Sequence, residues 1–158
     1  NQAIKAAKFA KDNQILVSLD AGSVYPNIDL LLPYVDILIT SSDFALKFTK
    51  KDNLKDAILD LNNKYHPLVL AVTNGKDGGY YLDKEEVKTY KAFTVDAVDT
   101  NGSGDAFHGA FLFAYLQSKD IEYSLKFASA FVALRCLTFG YRNALPSYEQ
   151  VINFLKEN

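Results

Sequence analysis

The sequence predicts an α/β fold built around a parallel sheet, and two observations support this prediction. In the first half, short apolar runs of strand length alternate with segments of helical spacing, which is the rhythm of βαβ units. After residue 78 the pattern changes to two strand-like runs, residues 79–82 and 87–90, separated by a charged turn. This second pattern is typical of an antiparallel hairpin. With 158 residues, 49% of them hydrophobic, the chain can bury a core as a single domain.

The first half supplies most of the predicted sheet. Three apolar runs are predicted as buried strands, and they cover residues 14–19, 35–40 and 68–72. The segments between them have the spacing of amphipathic helices. The first helix is predicted from Ala3 to an end near residues 12–13, and the second over residues 28–32, with Asn27 as the cap and Pro33 disrupting the end. Two more are predicted through Phe44 and Phe48, after the capping residues 41–43, and from Asp52 to Leu61.

The second half is predicted to be mainly helical after the hairpin. Apolar spacing predicts helices over residues 106–117 and 123–137, and Ser147 is expected to cap a final helix. Cys136 lies in an apolar run and is predicted to be a buried, unpaired thiol. We expect Phe107, Phe111 and Ala114 to belong to the core.

Charge and composition narrow the classes of function. The net charge is −2 with both signs interspersed, which argues against nucleic-acid or membrane partners. No apolar run approaches membrane-spanning length, and the start lacks a signal-peptide pattern. A single cysteine suits a reducing compartment, so a cytoplasmic location is expected. Because the chain contains no methionine, we expect it to be a portion of a longer protein.

Residues 99–111 carry the main chemical signal. A polar, glycine-containing turn passes directly into an apolar run of helical spacing, so several backbone N–H groups lack intrahelical partners at that point. The helix dipole adds partial positive charge there, which favours an anion. Asp105 lies in the first helical turn, and a carboxylate beside an anion site suits phosphoryl transfer. In the alternative interpretation, this turn only caps a helix.

The common nucleotide signatures do not match this turn. A P-loop requires lysine and a hydroxyl residue directly after its final glycine, and neither residues 75–79 nor the Gly102 turn supplies them. The dinucleotide fingerprint requires G-x-G-x-x-G, whereas Gly104 is followed by Asp105-Ala106-Phe107. Both motifs are therefore excluded.

The full string at residues 99–107, D-T-N-G-S-G-D-A-F, closely resembles the D-T-x-G-A-G-D-x-F signature of the ribokinase-like (PfkB) carbohydrate kinases. Residues 73–78, T-N-G-K-D-G, are similar to the family's T-x-G-x-x-G segment, and residues 127–130 and 140–142 resemble its later helix and loop. The resemblance covers nearly the whole chain, but only the C-terminal half of a typical member. It implies a ribokinase-like fold, with a mainly parallel sheet flanked by helices on both faces, in one domain over residues 1–158. The N-terminal substrate and lid region would lie outside this chain.

The resemblance also implies roles for particular residues. Asp105 would be the general base that takes the proton from the attacking sugar hydroxyl. The anion hole would be formed by the backbone N–H groups of Gly102, Ser103 and Gly104. The ATP site is implied at Thr73, Gly75, Gly78 and Ser129. The alternative for the first three is an ordinary turn, and the alternative for Ser129 is a small residue that packs between helices. Asp99 and the loop from Gly140 correspond to a monovalent-cation (K⁺) site in some members.

One expected motif is missing. After the second strand the family usually carries N-x-x-E, which organises Mg²⁺, whereas this chain has Ser41-Ser42-Asp43-Phe44. The variant resembles the ketohexokinase-like branch. Asp43 or Asp20 is therefore expected to compensate, with Mg²⁺ binding together with the nucleotide through altered water-mediated ligands.

Two other polar residues have open roles. His108 follows Asp105 by nearly one helical turn, and it either packs or faces solvent, or it faces the same cleft. Arg142 either contacts phosphate or forms a structural ion pair.

These features predict an ATP-dependent sugar kinase, which in its complete form is expected to form a homodimer. Two alternatives stay open. The acceptor could instead be a nucleoside, a vitamin alcohol or a sugar phosphate, or the chain could be an inactive nucleotide-binding regulatory module. Retention of Asp105 and of both glycines beside Ser103 argues against the inactive module.

Overall fold

The computed structural model describes residues 2–140 and 145–158. The chain divides into two compact units. The first contains Asn1–Asn74 and Tyr80–Thr89, and the second contains Gly75–Gly79 and Tyr90–Asn158. Among the described residues, no helix is both long enough and apolar enough to cross a membrane.

A five-stranded sheet in the order β1-β2-β3-β4-β5 organises the first unit. Its strands are β1 (Ser18–Ala21), β2 (Ile37–Ser41), β3 (Val69–Thr73), β4 (Gly79–Asp83) and β5 (Glu86–Tyr90). The first three strands pair in parallel. Only Lys84 and Glu85 join β4 to β5, and both have positive φ (49° and 80°), as the turn of a tight antiparallel hairpin requires. The predicted α/β class is confirmed, with three parallel strands and one hairpin.

Three helices accompany this sheet, α1 (Gln2–Asp12), α2 (Ser42–Thr49) and α3 (Leu54–Tyr65). Ser41 caps α2 as predicted, because its Oγ accepts from the Phe44 N–H at 3.0 Å. Asn53, rather than Asp52, caps α3 by accepting from the Asp56 N–H at 2.9 Å. Helices α2 and α3 share a hydrophobic core with β2 and β3, which includes Leu38, Phe44, Ile58, Leu61, Leu70 and Val72.

Two predicted elements of the first unit differ from the structure. The strand predicted over residues 14–19 begins only at Ser18, because Gln14 takes a left-handed turn (φ 58°) and the Ile15 N–H closes the end of α1 on the Ala10 carbonyl at 2.8 Å. The predicted helix over residues 28–32 is instead two 3₁₀ turns, Ile28–Leu30 and Leu32–Tyr34. Asn27 is itself left-handed (φ 66°), and its side chain makes no capping hydrogen bond.

The described part of the second unit is mainly helical after residue 102. It contains α4 (Ser103–Ser118), α5 (Ile121–Cys136) and α6 (Tyr148–Glu157). The long apolar helices α4 and α5 pack against each other, and α6 packs on α5. As predicted, Phe107, Phe111 and Ala114 are buried and Cys136 is a buried free thiol. Ser147 caps α6 in a reciprocal capping box with Gln150.

Candidate active site

The turn before α4 presents an open helix N-terminus. Gly102 is the N-cap residue in a left-handed conformation (φ 71°), which glycine adopts without steric cost. Because α4 begins at Ser103, the N–H groups of Gly104 and Asp105 have no carbonyl one turn earlier in the helix. Gly104 is exposed, and a Cβ placed there would meet nothing within 4 Å. An anion can therefore approach the backbone at this point.

Ser103 closes the turn rather than leaving its N–H group open. Its N–H donates to the Thr100 carbonyl at 3.2 Å, and its Oγ donates to the same carbonyl at 2.7 Å. The Oγ also lies 3.3 Å from the Cys136 Sγ. The N–H bond is at the long end of the usual range. Of the three residues predicted for the anion hole, Ser103 is thus the one whose N–H is already engaged.

The Asp105 side chain is exposed, and its neighbours on the other face of α4 are not. Ala106 and Phe107 are only 9% and 8% exposed, so their burial in the second unit fixes the first turns of α4. His108 is partly buried. The carboxylate is therefore held on a fixed backbone while remaining accessible to a substrate.

Asp99 lies at the start of the turn and is held by several donors. Its side chain, 8% exposed, accepts from the backbone N–H groups of Asn101 at 2.9 Å and Gly140 at 3.1 Å. A guanidinium nitrogen of Arg135 lies 3.7 Å away. These hydrogen bonds, and then the Arg135 charge, hold the pKa of the Asp99 carboxyl below its usual range.

Arg135 is a residue that the sequence analysis missed. Its side chain is fully buried (0% exposed) near the end of α5, and its guanidinium also donates to the Asp99 carbonyl. The available signal was a lone arginine between Leu134 and Cys136 in an otherwise apolar helix. Because a buried arginine is almost always paired, that position predicts a partner but does not identify it.

Among the residues that the structure describes, the neighbours of Asp99 do not fit the monovalent cation implied by the family resemblance. Such an ion needs oxygen lone pairs, whereas the Asp99 carboxylate faces two N–H donors and a guanidinium. The Asp99 carbonyl is likewise occupied by Arg135. The charge of Asp99 is balanced from within the protein.

Gly75 and Gly78 form a tight turn whose second glycine is required by packing. The Gly78 N–H donates to the Gly75 carbonyl at 3.2 Å, and both residues have positive φ. A Cβ on Gly78 would lie 2.0 Å from the Tyr90 carbonyl oxygen. The Tyr90 ring in turn stacks on Phe107 of α4, with centroids 5.9 Å apart. Within the second unit, this turn is therefore tied to the helix that carries Asp105.

We expect Gly78→Ala to lower the free energy of unfolding by about 2–3 kcal/mol, since the methyl group must displace backbone in a left-handed residue. Gly75→Ala is the matched control, because it has the same sign of φ but open space around the Cβ. Its cost should be only about 1–2 kcal/mol. Urea denaturation of both variants measures the difference, and equal losses would contradict the packing explanation.

Ser129 lies in the middle of α5 and is 6% exposed. Its Oγ has no hydrogen-bond partner among the described residues. A buried hydroxyl without a partner costs free energy, so the hydroxyl is not explained by the packing of α5.

Ser129→Ala should leave stability unchanged or raise it by up to about 1 kcal/mol, because no hydrogen bond is lost. Ser124→Ala on the same helix is the control. The Ser124 Oγ donates to the Asp120 carbonyl at 2.5 Å, and removing it should cost about 1 kcal/mol. Denaturation together with titration of an ATP analogue separates the two roles. Weaker nucleotide binding by Ser129→Ala alone supports a place for Ser129 in the ATP site, and unchanged binding contradicts it.

Thr73 and Ser41 lie opposite each other at the carboxyl ends of β3 and β2 in the first unit. The Thr73 Oγ1 donates to the Thr40 carbonyl at 3.2 Å, and the Ser41 Oγ donates to the Gly22 carbonyl at 2.9 Å. Ligands of open α/β sheets bind beyond this edge. Thr73, predicted for the ATP site, and Ser41, which replaces the family's usual asparagine, thus both lie at the expected edge. Their hydroxyl groups donate to backbone carbonyls of a neighbouring strand or of the loop after it.

The acidic candidates for metal binding in the first unit are exposed. Asp43 is 60% exposed, and its carboxylate lies 2.8 Å from the Lys47 Nζ one turn later. Asp20 is also exposed. Within residues 2–140 and 145–158, no three His, Cys, Asp or Glu side chains gather where they could hold a metal ion. Arg142 lies outside the described residues.

Known proteins similar to this chain include several sugar kinases. A deoxyribokinase from Salmonella typhi is 38% identical over 89 residues, which are 56% of this chain and 29% of that protein. An ATP-dependent ribose-1-phosphate kinase from Halopiger xanaduensis is 31% identical over 157 residues, which are 98% of this chain and 51% of that protein. The structure of Arabidopsis thaliana ribokinase complexed with ribose and ATP superposes with a TM-score of 0.86 at 25% identity, over 98% of this chain and 52% of that one.

The family assignment follows from these matches and from the turn described above. The chain spans about half the length of the relatives that match it from end to end. The family model for pfkB carbohydrate kinases matches residues 1–147. The chain therefore belongs to the pfkB family of carbohydrate kinases, and it has a ribokinase-like fold.

Proposed function

We propose that the protein containing this chain is an ATP-dependent kinase that phosphorylates a hydroxyl group of a sugar. The observation that carries the proposal is the N-terminus of α4. There a left-handed Gly102, an unobstructed Gly104 and an exposed Asp105 lie within four consecutive residues. This arrangement places N–H donors and a carboxylate on the same helical turn.

The chemistry of phosphoryl transfer explains why such a turn is useful. Charge in the loose transition state lies on the peripheral phosphoryl oxygens, which N–H donors at the helix N-terminus stabilise. We assign this role to Gly102 and Gly104. Ser103 contributes when its long N–H bond to Thr100 gives way to a phosphoryl oxygen. Asp105 takes the proton from the acceptor hydroxyl, which is a poor nucleophile until that proton leaves.

ATP is the proposed phosphoryl donor, held at Thr73, Gly75, Gly78 and Ser129. The Arabidopsis relative binds ribose and ATP, which supports this choice. The unpartnered Ser129 Oγ and the attachment of the Gly78 turn to α4 through Tyr90 also support it. We further propose that Mg²⁺ enters with the ATP phosphates and reaches Asp43 through water.

Asp43→Ala should raise the Mg²⁺ concentration needed for half-maximal activity severalfold, because a carboxylate near the ion is lost. Stability should hardly change, since the exposed Asp43–Lys47 pair is worth only about 0.3–0.5 kcal/mol. Asp52→Ala, another exposed aspartate, is the control. If the Mg²⁺ titrations of Asp43→Ala and the parent protein superpose, Asp43 has no role at the metal.

Acceptors other than a sugar are alternatives for the same turn. The Halopiger relative is a ribose-1-phosphate kinase, which makes a sugar phosphate the first alternative acceptor. Nucleosides and vitamin alcohols follow. A regulatory module without catalysis is the remaining alternative, and it would bind ATP without consuming it.

An assay of ADP release by the full-length protein tests this proposal against a panel of sugars, sugar phosphates, nucleosides and vitamin alcohols. We expect ADP release that depends on a sugar. Release with another acceptor class selects the corresponding alternative, and ATP binding without release with any acceptor supports the regulatory module. The isolated 158-residue chain should bind ATP weakly and turn over no acceptor. Robust sugar phosphorylation by that chain would contradict the need for further segments.

The proposed setting of the enzyme is the cytoplasm, with the complete protein as a homodimer. Sedimentation velocity of the full-length protein tests the dimer, and a single species of monomer mass would contradict it.

A further inference from the structure

A buried positive charge stands beside the catalytic turn. Arg135 is fully buried, and a buried charge is costly unless it is paired and hydrogen-bonded. Its guanidinium contacts both the backbone and the side chain of Asp99. One nitrogen donates to the Asp99 carbonyl, and another lies 3.7 Å from the carboxylate. Arg135 has no part in the proposed anion hole, the general base or the ATP site.

The Asp99 carboxylate is surrounded by hydrogen-bond donors and one positive charge. Besides the guanidinium, it accepts from the N–H groups of Asn101 and Gly140. A bound Na⁺ or K⁺ would need the same carboxylate and carbonyl oxygens that Arg135 occupies. The guanidinium and a monovalent cation would therefore compete for one place.

We propose that Arg135 is a built-in cation, which takes the place beside Asp99 that a monovalent cation would hold and thereby makes the protein independent of K⁺. Any effect of Arg135 on catalysis, through the position of the anion hole, rests on the proposed function. The ion independence does not, because it concerns only the folded protein and its nucleotide complex.

A short chain of contacts connects Arg135 with the anion hole. The N–H groups of Val98 and Asp99 both donate to the Cys136 carbonyl, at 2.8 and 3.2 Å, while Arg135 holds the Asp99 carbonyl. Asp99 then holds Asn101, and Ser103 closes the turn on the Thr100 carbonyl. Arg135 touches none of the reacting groups in this scheme, so it is a positioning residue.

The first test uses the unaltered full-length protein. Its melting temperature and its affinity for a non-hydrolysable ATP analogue are measured in KCl, NaCl and tetramethylammonium chloride at equal ionic strength. Tetramethylammonium is too large to enter a site of this kind. We expect the same values in all three salts. A tenfold gain in affinity, or a rise of several degrees in melting temperature, specific to K⁺ or Na⁺ would overturn the proposal.

The second test removes the charge in two ways. Arg135→Ala leaves a space beside Asp99, and Arg135→Met fills most of that space without charge. Both should lower the melting temperature in tetramethylammonium chloride, by roughly 10 °C for a broken buried pair. Only Arg135→Ala should recover when K⁺ or millimolar guanidinium is added. Lys126→Ala, an exposed cation on the same helix, is the control and should not respond to salt type.

Two results of the second test would contradict the built-in cation. One is an Arg135→Met variant with the melting temperature and nucleotide affinity of the parent protein, which would show that the charge is not needed. The other is an Arg135→Ala variant with the same deficit in every salt, since a purely structural role predicts that result. If Arg135→Ala does not fold, the salt comparison of the unaltered protein decides the question. None of these measurements requires turnover, so their outcome is separate from that of the proposed kinase activity.

Discussion

Asp105→Asn is expected to lower kcat of the full-length protein by about 10²–10⁴-fold, the usual contribution of a general base. Asparagine keeps the size and the polarity of the side chain but cannot accept the proton of the acceptor hydroxyl. The affinity for ATP should stay within about twofold, because the helix N–H groups and the Gly102 turn do not depend on this carboxylate. Steady-state kinetics and titration of an ATP analogue measure the two quantities.

A matched control separates base catalysis from helix electrostatics. Glu122 is an exposed acidic residue in the first turn of α5, so Glu122→Gln removes the same charge from the first turn of another helix. Each substitution should cost about 0.3–1 kcal/mol of helix-dipole stabilisation, but only Asp105→Asn should lose turnover. A kcat for Asp105→Asn within about fivefold of the parent value would rule out Asp105 as the base.

Gly104→Ala is expected to lower kcat/KM by about 10²–10³-fold, comparable to the loss of an oxyanion donor. In the folded protein the added methyl group meets nothing within 4 Å, and alanine restricts the unfolded chain more than glycine does. The free energy of unfolding should therefore stay constant or rise by about 0.4–1 kcal/mol. Loss of activity without loss of stability would indicate that the methyl group obstructs an approaching phosphoryl group.

Glu149→Ala is the control for Gly104→Ala, because Glu149 is the second residue of α6 as Gly104 is of α4. It introduces alanine at the same position of a helix that carries no proposed site residue. Kinetics and urea denaturation are measured for both variants. Full activity of Gly104→Ala would mean that no ligand comes close to this backbone, and the anion hole would have to lie elsewhere.

Local signals made much of this fold predictable. The residues that cap α2 and α6, Ser41 and Ser147, act through hydrogen bonds within three residues, so the sequence alone contains both partners. The helix N-terminus at Gly102 is equally local, since it depends on a glycine in a left-handed turn followed by an apolar helix. The buried strands β2 and β3 follow from apolar runs that are covered on both sides.

Pairings between distant residues and the paths of irregular turns were not predictable. The guanidinium of Arg135 finds Asp99 across 36 residues, and nothing near either residue in the sequence indicates the pairing. The engagement of the Ser103 N–H with Thr100 reflects the actual path of the turn, which the resemblance to a family does not determine. The late start of β1 at Ser18 has the same cause, because the left-handed Gln14 follows a helix end that apolar spacing alone does not reveal.

Transfer of a phosphoryl group to a sugar hydroxyl at the turn before α4 can be followed by ³¹P NMR of the reaction. The full-length protein is incubated with ATP, Mg²⁺ and the sugar that supports ADP release. We predict a phosphomonoester signal of the sugar that grows in step with ADP, one for one. In Asp105→Asn this signal should grow about 10²–10⁴-fold more slowly, although ATP still binds. ADP accompanied only by inorganic phosphate, or a phosphorylated sugar formed equally fast by Asp105→Asn, would rule out phosphoryl transfer at this turn.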